Sequence, residues 1–169
     1  MGTLLTEDES AGTHREKVEP TWRDPEACLP REKRRMRQNA GAHRATILLV
    51  ENEQAIREML RMYLEGAGYS VLEAGDGDEA LAVWERHAQA IDLVLADWMM
   101  PGRLNGCQLV RQLQTSRPGL EAIIVSGQSS EAFEDEVMSG GPKNFLPKPY
   151  RLDCLAAMVH RCLQHAEAA

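Results

Sequence analysis

From Thr46 onward, short apolar runs alternate with stretches of helical spacing. The first run, Ile47-Leu48-Leu49-Val50, contains no polar position. A strand with one wet face alternates apolar and polar residues, so an unbroken run predicts a strand covered on both faces. Ile56, Met59, Leu60, Tyr63 and Leu64 then recur at helical spacing and predict a helix with one apolar face. It should stop near Gly66 and Gly68, where a glycine can take the left-handed conformation. Tyr69 to Ala74 alternates, as in a less buried strand, and Asp76 or Asp78 can cap a following helix with Leu81 and Trp84 on one face. Ile91 to Asp97 is the third strand, and a helix with Leu109, Val110 and Leu113 inward runs up to Pro118. "EAIIVSG" is the fourth strand, followed by a weaker helix around Phe133 and Val137. "KNFLPKPY" supplies a short fifth strand, and Leu152, Leu155, Val159, Cys162 and Leu163 mark the last helix.

Strands and helices in strict alternation imply a parallel sheet with helices on both faces, because parallel strands need right-handed crossovers. The fold class is α/β, a flavodoxin-like doubly wound sheet of five strands in the order 2-1-3-4-5. That order sets strands 1 and 3 side by side at the topological switch point, where ligands bind outside the carboxyl ends. Those ends are Glu51-Asn52-Glu53 and Asp97. Acids held close together raise each other's pKa unless a cation relieves them, and hard oxygens of this kind suit Mg²⁺. Lys148, after strand 5, can reach the same edge, and Ser126 ends strand 4 there. An acid nucleophile, a lysine, a hydroxyl and a metal site make a phosphoryl pocket, where catalysis is mostly positioning and charge neutralisation.

A chain of 169 residues holds one domain with a real core and some surplus. Of its 19 Lys+Arg and 26 Asp+Glu, residues 1–44 carry nine and eight, which leaves ten and 18 for residues 45–169. The formal charge of -7 argues against wholesale nucleic-acid binding. Residues 1–44 lack apolar periodicity and read as a disordered or loosely ordered extension, with the folded domain spanning 45–169. Within the extension, "REKRRMR" (Arg31 to Arg37) is either an electrostatic patch for an acidic partner or, more plainly, a solvated linker. A start at Met36 would remove most of the extension. Cys28, Cys107, Cys154 and Cys162 form no C-x-x-C pair and follow no secretory apolar segment, so they read as reduced thiols of a cytoplasmic protein. No apolar run approaches the ~20 residues of a membrane span.

"ILLVENE", "EAGDGDEAL", "DLVLADWMMPG", "IIVSG" and "FLPKPY" together resemble the receiver domains of two-component response regulators, in order and spacing, over residues 45–168. The resemblance implies that Asp97 is the phosphoacceptor, taking a phosphoryl group from a histidine kinase or a phosphotransfer protein. It implies that Ser126 and Lys148 contact that group and that Glu51, Asn52, Asp97 and the Met99 backbone carbonyl serve Mg²⁺. Phe145 would be the aromatic that moves with Ser126 on activation, and Lys148-Pro149 would be a cis peptide. The output would pass through a downstream protein partner, or the N-terminal arm, with no DNA-binding domain and with a homodimer as one arrangement.

The chain departs from the family's pattern in two places. Glu51-Asn52 stands where two acids are usual, so the metal site has one carboxylate fewer and should bind Mg²⁺ weakly. The loop "MPGRLNG" is one residue longer than the commonest form, with Asn105 in place of Asp, as in receivers of hybrid sensor kinases. Two functions follow: a working phosphoacceptor, or a phosphorylation-independent pseudo-receiver that acts as an interaction module because Asn52 has replaced a metal-binding acid. A phosphohydrolase of the haloacid dehalogenase type fits poorly, since it needs a second acid where Met99 stands. "GDGDEA" fits a loose dinucleotide pattern, but it follows the second strand and its acids would repel a pyrophosphate. His87, His160 and His165 lack metal-ligand spacing and read as surface residues.

Overall fold

The three central strands bury both of their faces, and this sets the architecture. In the computed structural model, which describes residues 44–127 and 142–166, β1 (Thr46–Val50) is buried along its whole length. The other strands are β2 (Ser70–Ala74), β3 (Ile91–Asp97), β4 (Glu121–Ser126) and β5 (Asn144–Pro147). All pair in parallel, in the order β2-β1-β3-β4-β5. The helices are α1 (Gln54–Gly66), α2 (Gly77–His87), α3 (Gly106–Ser116) and α4 (Leu152–Ala166). The expected helix around Phe133 and Val137, the extension with its basic run, and the side chain of His165 lie outside the described residues.

Successive strand side chains point to opposite faces, and the core divides accordingly. Leu48, Val50, Val94, Ala96 and Ile124 pack against Ala80 and Trp84 of α2 and Leu109, Val110 and Leu113 of α3. Ile47, Leu49, Leu93, Leu95 and Ile123 face the other way, against Leu60 and Leu64 of α1 and Leu155, Val159 and Cys162 of α4. The exposed edge strand β2 is only partly buried, as its alternation predicts.

The helix ends follow local chemistry. Asp76 caps α2 by accepting from the Glu79 amide at 2.8 Å. Asn105 and Gln108 form a reciprocal capping box on α3, so the amide at 105 fills the cap as a carboxylate would. At the end of α1, Gly68 has φ 102, and the Gly68 and Tyr69 amides donate to the Glu65 and Leu64 carbonyls. This is a Schellman ending, closed by the buried pair Tyr69 and Leu64. One expectation for α1 fails. Helical spacing puts Met59 on its apolar face, yet Met59 is 45% exposed, because Leu60 and Leu64 occupy the centre of the buried stripe and Met59 lies beyond its edge.

At the amino end of the sheet, Arg117 donates to the carbonyls of Ala88 and Ile91 and lies over the Trp84 ring, 5.6 Å from its centroid. It joins the end of α2, the start of β3 and the end of α3. Arg117→Ala should therefore lower unfolding free energy by about 2 kcal/mol, from two charge-assisted hydrogen bonds and a cation–π contact. Arg117→Lys should recover only part, because an ammonium cannot fork between two carbonyls. Urea denaturation of the three proteins measures both.

Candidate functional site

Val50 pairs with Ala96, so the next residues on the two strands, Glu51 and Asp97, leave the sheet side by side. They continue the alternation of Leu49 and Leu95 and remain 3% and 9% exposed. On the far side, Ser126 pairs with Pro147, and the Lys148 amide donates to the Ser126 carbonyl at 2.7 Å. The Lys148-Pro149 peptide is cis.

Lys148 unites these edges. Its Nζ lies 2.6 Å from Asp97 Oδ2 and 3.4 Å from Glu51 Oε2. The second oxygen of each acid is held by backbone: Asp97 Oδ1 accepts from the Met99 amide at 3.1 Å, and Glu51 Oε1 from the Glu53 amide at 3.1 Å. Burial works against the Lys148 ammonium, but the hydrogen bond and charge of Asp97, reinforced by Glu51, outweigh it and raise its pKa above the ordinary 10.5. Burial also raises the phenol of nearby Tyr150 above its ordinary 10.0.

The structure thus brings Glu51, Asp97 and Lys148 into direct contact and sets Ser126, buried, at the same edge. Asn52 and Met99 sit exposed on the turns beside the two acids, Asn52 after β1 and Met99 after β3. Phe145 lies on β5 and packs, partly buried, against the α2 and α3 side of the core. Among the described residues no group of three or more His, Cys, Asp or Glu is placed to hold a metal ion. The donors available are the two carboxylates, the Asn52 amide oxygen and the Met99 carbonyl. All are hard oxygens, which fit Mg²⁺ in kind while supplying little charge.

Two further residues matter here. A Cβ on Gly106, the first residue of α3, would overlap the carbonyl oxygen of Asp97, so only glycine lets α3 start against the backbone of that acid. Arg57 of α1 donates to the Glu51 carbonyl at 2.6 Å. Its signal is a cation close to a helix N-terminus, where the helix dipole disfavours one. The extended β3–α3 loop is tied back to α2 by an ion pair between Arg103 and Asp78 at 2.8 Å, and Leu104 lies against Gly77.

Fold and side-chain contacts define a doubly wound domain with an acid–lysine site at its switch point. Residues 47–160 match the response regulator receiver domain family, and the chain belongs to that family. It is 38% identical over 120 residues to the sensor kinase CckA of Brucella abortus, covering 71% of this chain and 13% of that protein. It is 35% identical over 121 residues to the response regulator MprA of Mycobacterium leprae, covering 72% and 52%. The chain therefore spans about half or less of the length of these curated relatives. Among solved structures, a receiver domain protein from Clostridium thermocellum superposes with a TM-score of 0.68 at 26% identity, covering 73% of this chain and 98% of that one. The receiver domain of the hybrid histidine kinase CckA gives 0.59 at 35% identity, covering 70% and 99%. The domain is a signalling module of two-component systems. No helix among the described residues is long and apolar enough to cross a membrane.

The raised Lys148 pKa has a definite sign. The stability contributed by the shared ammonium is complete below pH 10.5 and is lost as pH rises through the higher folded value. Lys148→Met should lower unfolding free energy by about 1–3 kcal/mol at neutral pH, because two buried acids lose their cation. Urea unfolding against pH should show this gap level from neutrality to about pH 10 and closing above it. A gap that widens in alkali would contradict the ion pair.

Proposed function

We propose that this domain accepts a phosphoryl group on Asp97 from a phosphohistidine of a histidine kinase or phosphotransfer protein, and signals through protein contacts. The observation that carries this reading is the single Lys148 ammonium held between Asp97 and Glu51 at 2.6 and 3.4 Å. An oxygen of Asp97 attacks phosphorus; the new P–O bond forms as the donor's P–N bond breaks, and the leaving imidazole takes up a proton. Lys148 moves with the charge, from the carboxylate to the phosphoryl oxygens, and the Met99 amide holds Asp97 in place for attack. Glu51, Asn52, Asp97 and the Met99 carbonyl would hold Mg²⁺, which when bound neutralises phosphoryl oxygens during transfer. Ser126, buried at the end of β4, receives the new group from the other side, and Phe145 follows its movement.

Phosphorylation adds about -1.5 to -2 charges to this edge, enough to reorganise residues that now share one lysine. The receivers of a sensor kinase and of response regulators among the relatives support a place in a cytoplasmic phosphorelay. A second reading, the pseudo-receiver acting through contacts alone, draws support from the neutral amide of Asn52 and from the absence, among the described residues, of three or more His, Cys, Asp or Glu side chains grouped to hold a metal ion.

One measurement separates the two. Incubation with acetyl phosphate should add one phosphoryl group in Mg²⁺, detected by mass spectrometry, and Asp97→Asn should abolish it. Absence of labelling at millimolar Mg²⁺ would leave the pseudo-receiver. Asn52→Asp should tighten Mg²⁺ binding about tenfold or more by restoring a carboxylate, measured by titration calorimetry. Unchanged affinity would mean that the ion never uses position 52.

A further inference from the structure

Apart from the N-cap residue Glu53, no acid occupies the first turn of α1, and a cation near a helix N-terminus opposes the dipole, so helix electrostatics alone do not account for Arg57. Its contacts supply the reason. The side chain tilts back over the preceding turn, as helical side chains do. Its Nη1 donates to the Glu51 carbonyl at 2.6 Å and reaches the Asn52 carbonyl at 3.5 Å. Its Nε lies 3.7 Å from Glu73 on β2, and Glu73 is also held by Arg61 at 3.1 Å. The guanidinium lies beside Gly75, where an added Cβ would make ordinary contact with Nη1 at 3.5 Å. The Arg57 side chain is only 20% exposed.

Building on the phosphoacceptor reading, we propose that Arg57 is a positioning residue of that site, locking the Glu51–Asn52 turn to the end of β2. The turn is fastened from two sides. The Glu51 amide donates to the Ala74 carbonyl at 3.1 Å, and Arg57 takes the carbonyls that follow. Arg57 bonds main-chain oxygens and not the Glu51 carboxylate, whose two oxygens go to Lys148 and the Glu53 amide. It therefore constrains the turn while leaving the pocket's acids their charge, and its own charge is met by Glu73.

Such a lock matters more with asparagine than with aspartate at position 52. A carboxylate attracts a cation from many orientations, whereas a neutral amide contributes only when its oxygen is correctly aimed. Residues that orient ligands from behind typically change affinity or activity by about 10–100-fold when removed.

The full chain with Arg57→Gln or Arg57→Lys tests this in three ways: Mg²⁺ affinity by calorimetry, acetyl phosphate labelling rate, and amide exchange at Glu53 by NMR. Both variants should lose about tenfold or more in Mg²⁺ affinity and labelling rate. Exchange at Glu53 should accelerate, because its acceptor Glu51 is no longer held. Lysine keeps the charge and cannot fork between the turn and Glu73, so it should not rescue. Tighter Mg²⁺ binding in Arg57→Gln would overturn the proposal, since that is the result for a cation that merely repels the ion. Full rescue by lysine, or unchanged Glu53 exchange in Arg57→Lys, would overturn it as well. Should the unaltered chain take no label, the phosphoacceptor reading fails, while Glu53 exchange in the folded lysine variant still decides the role of Arg57.

Discussion

One ammonium shared by two buried carboxylates is the interaction on which the carboxyl edge of this sheet depends. Glu51 and Asp97 are 3% and 9% exposed, and burying two carboxylates side by side is costly without a cation between them. Lys148 relieves both, at 3.4 and 2.6 Å. To do so it must arrive from the opposite side, beyond β4, while β1 and β3 lie next to each other. The order β2-β1-β3-β4-β5 supplies that placement, with the Lys148 amide registered on the Ser126 carbonyl. The backbone amides of Met99 and Glu53 then take the remaining oxygens, so each acid is fixed in orientation as well as charge.

The two ends of the sheet are built for different tasks. At the amino end, Arg117 fastens three elements through main-chain carbonyls, and Asp92 accepts from the Thr46 amide at 2.8 Å. These contacts hold backbone to side chain. At the carboxyl end the side chains meet each other, and the lysine that holds them can exchange one partner for another. A domain anchored at one end can tolerate rearrangement at the other, and the switch point of the sheet lies at that other end.

Much of this was readable from the residues alone. Ile47 to Val50 announces a strand covered on both faces, and the acids at the ends of two such strands announce a pocket once the strand order is inferred. The reading fails where tertiary contacts decide. Met59 obeys helical spacing but lies past the edge of a stripe whose centre belongs to Leu60 and Leu64. Gly106 looks like an ordinary loop glycine until α3 is seen starting against the Asp97 carbonyl. Arg57 looks like a solvated helix residue, because nothing local reveals that β2 brings Glu73 and Gly75 to meet it. Sequence periodicity reports which side of an element is covered; it does not report which main-chain oxygen waits there.

Asn52 has opposite effects on the two charged species the pocket would receive. Among the side chains in direct contact, two acids face one lysine, so the formal charge is smaller than a third carboxylate would make it. A metal ion gains less from that field. An incoming phosphoryl group, itself an anion, is repelled less by it. Removing an acid therefore lowers the attraction for the cation and the need for it together. On the proposed phosphoacceptor reading, the neutral residue would set metal dependence and not simple reactivity, through an amide whose usefulness depends on where the turn is held.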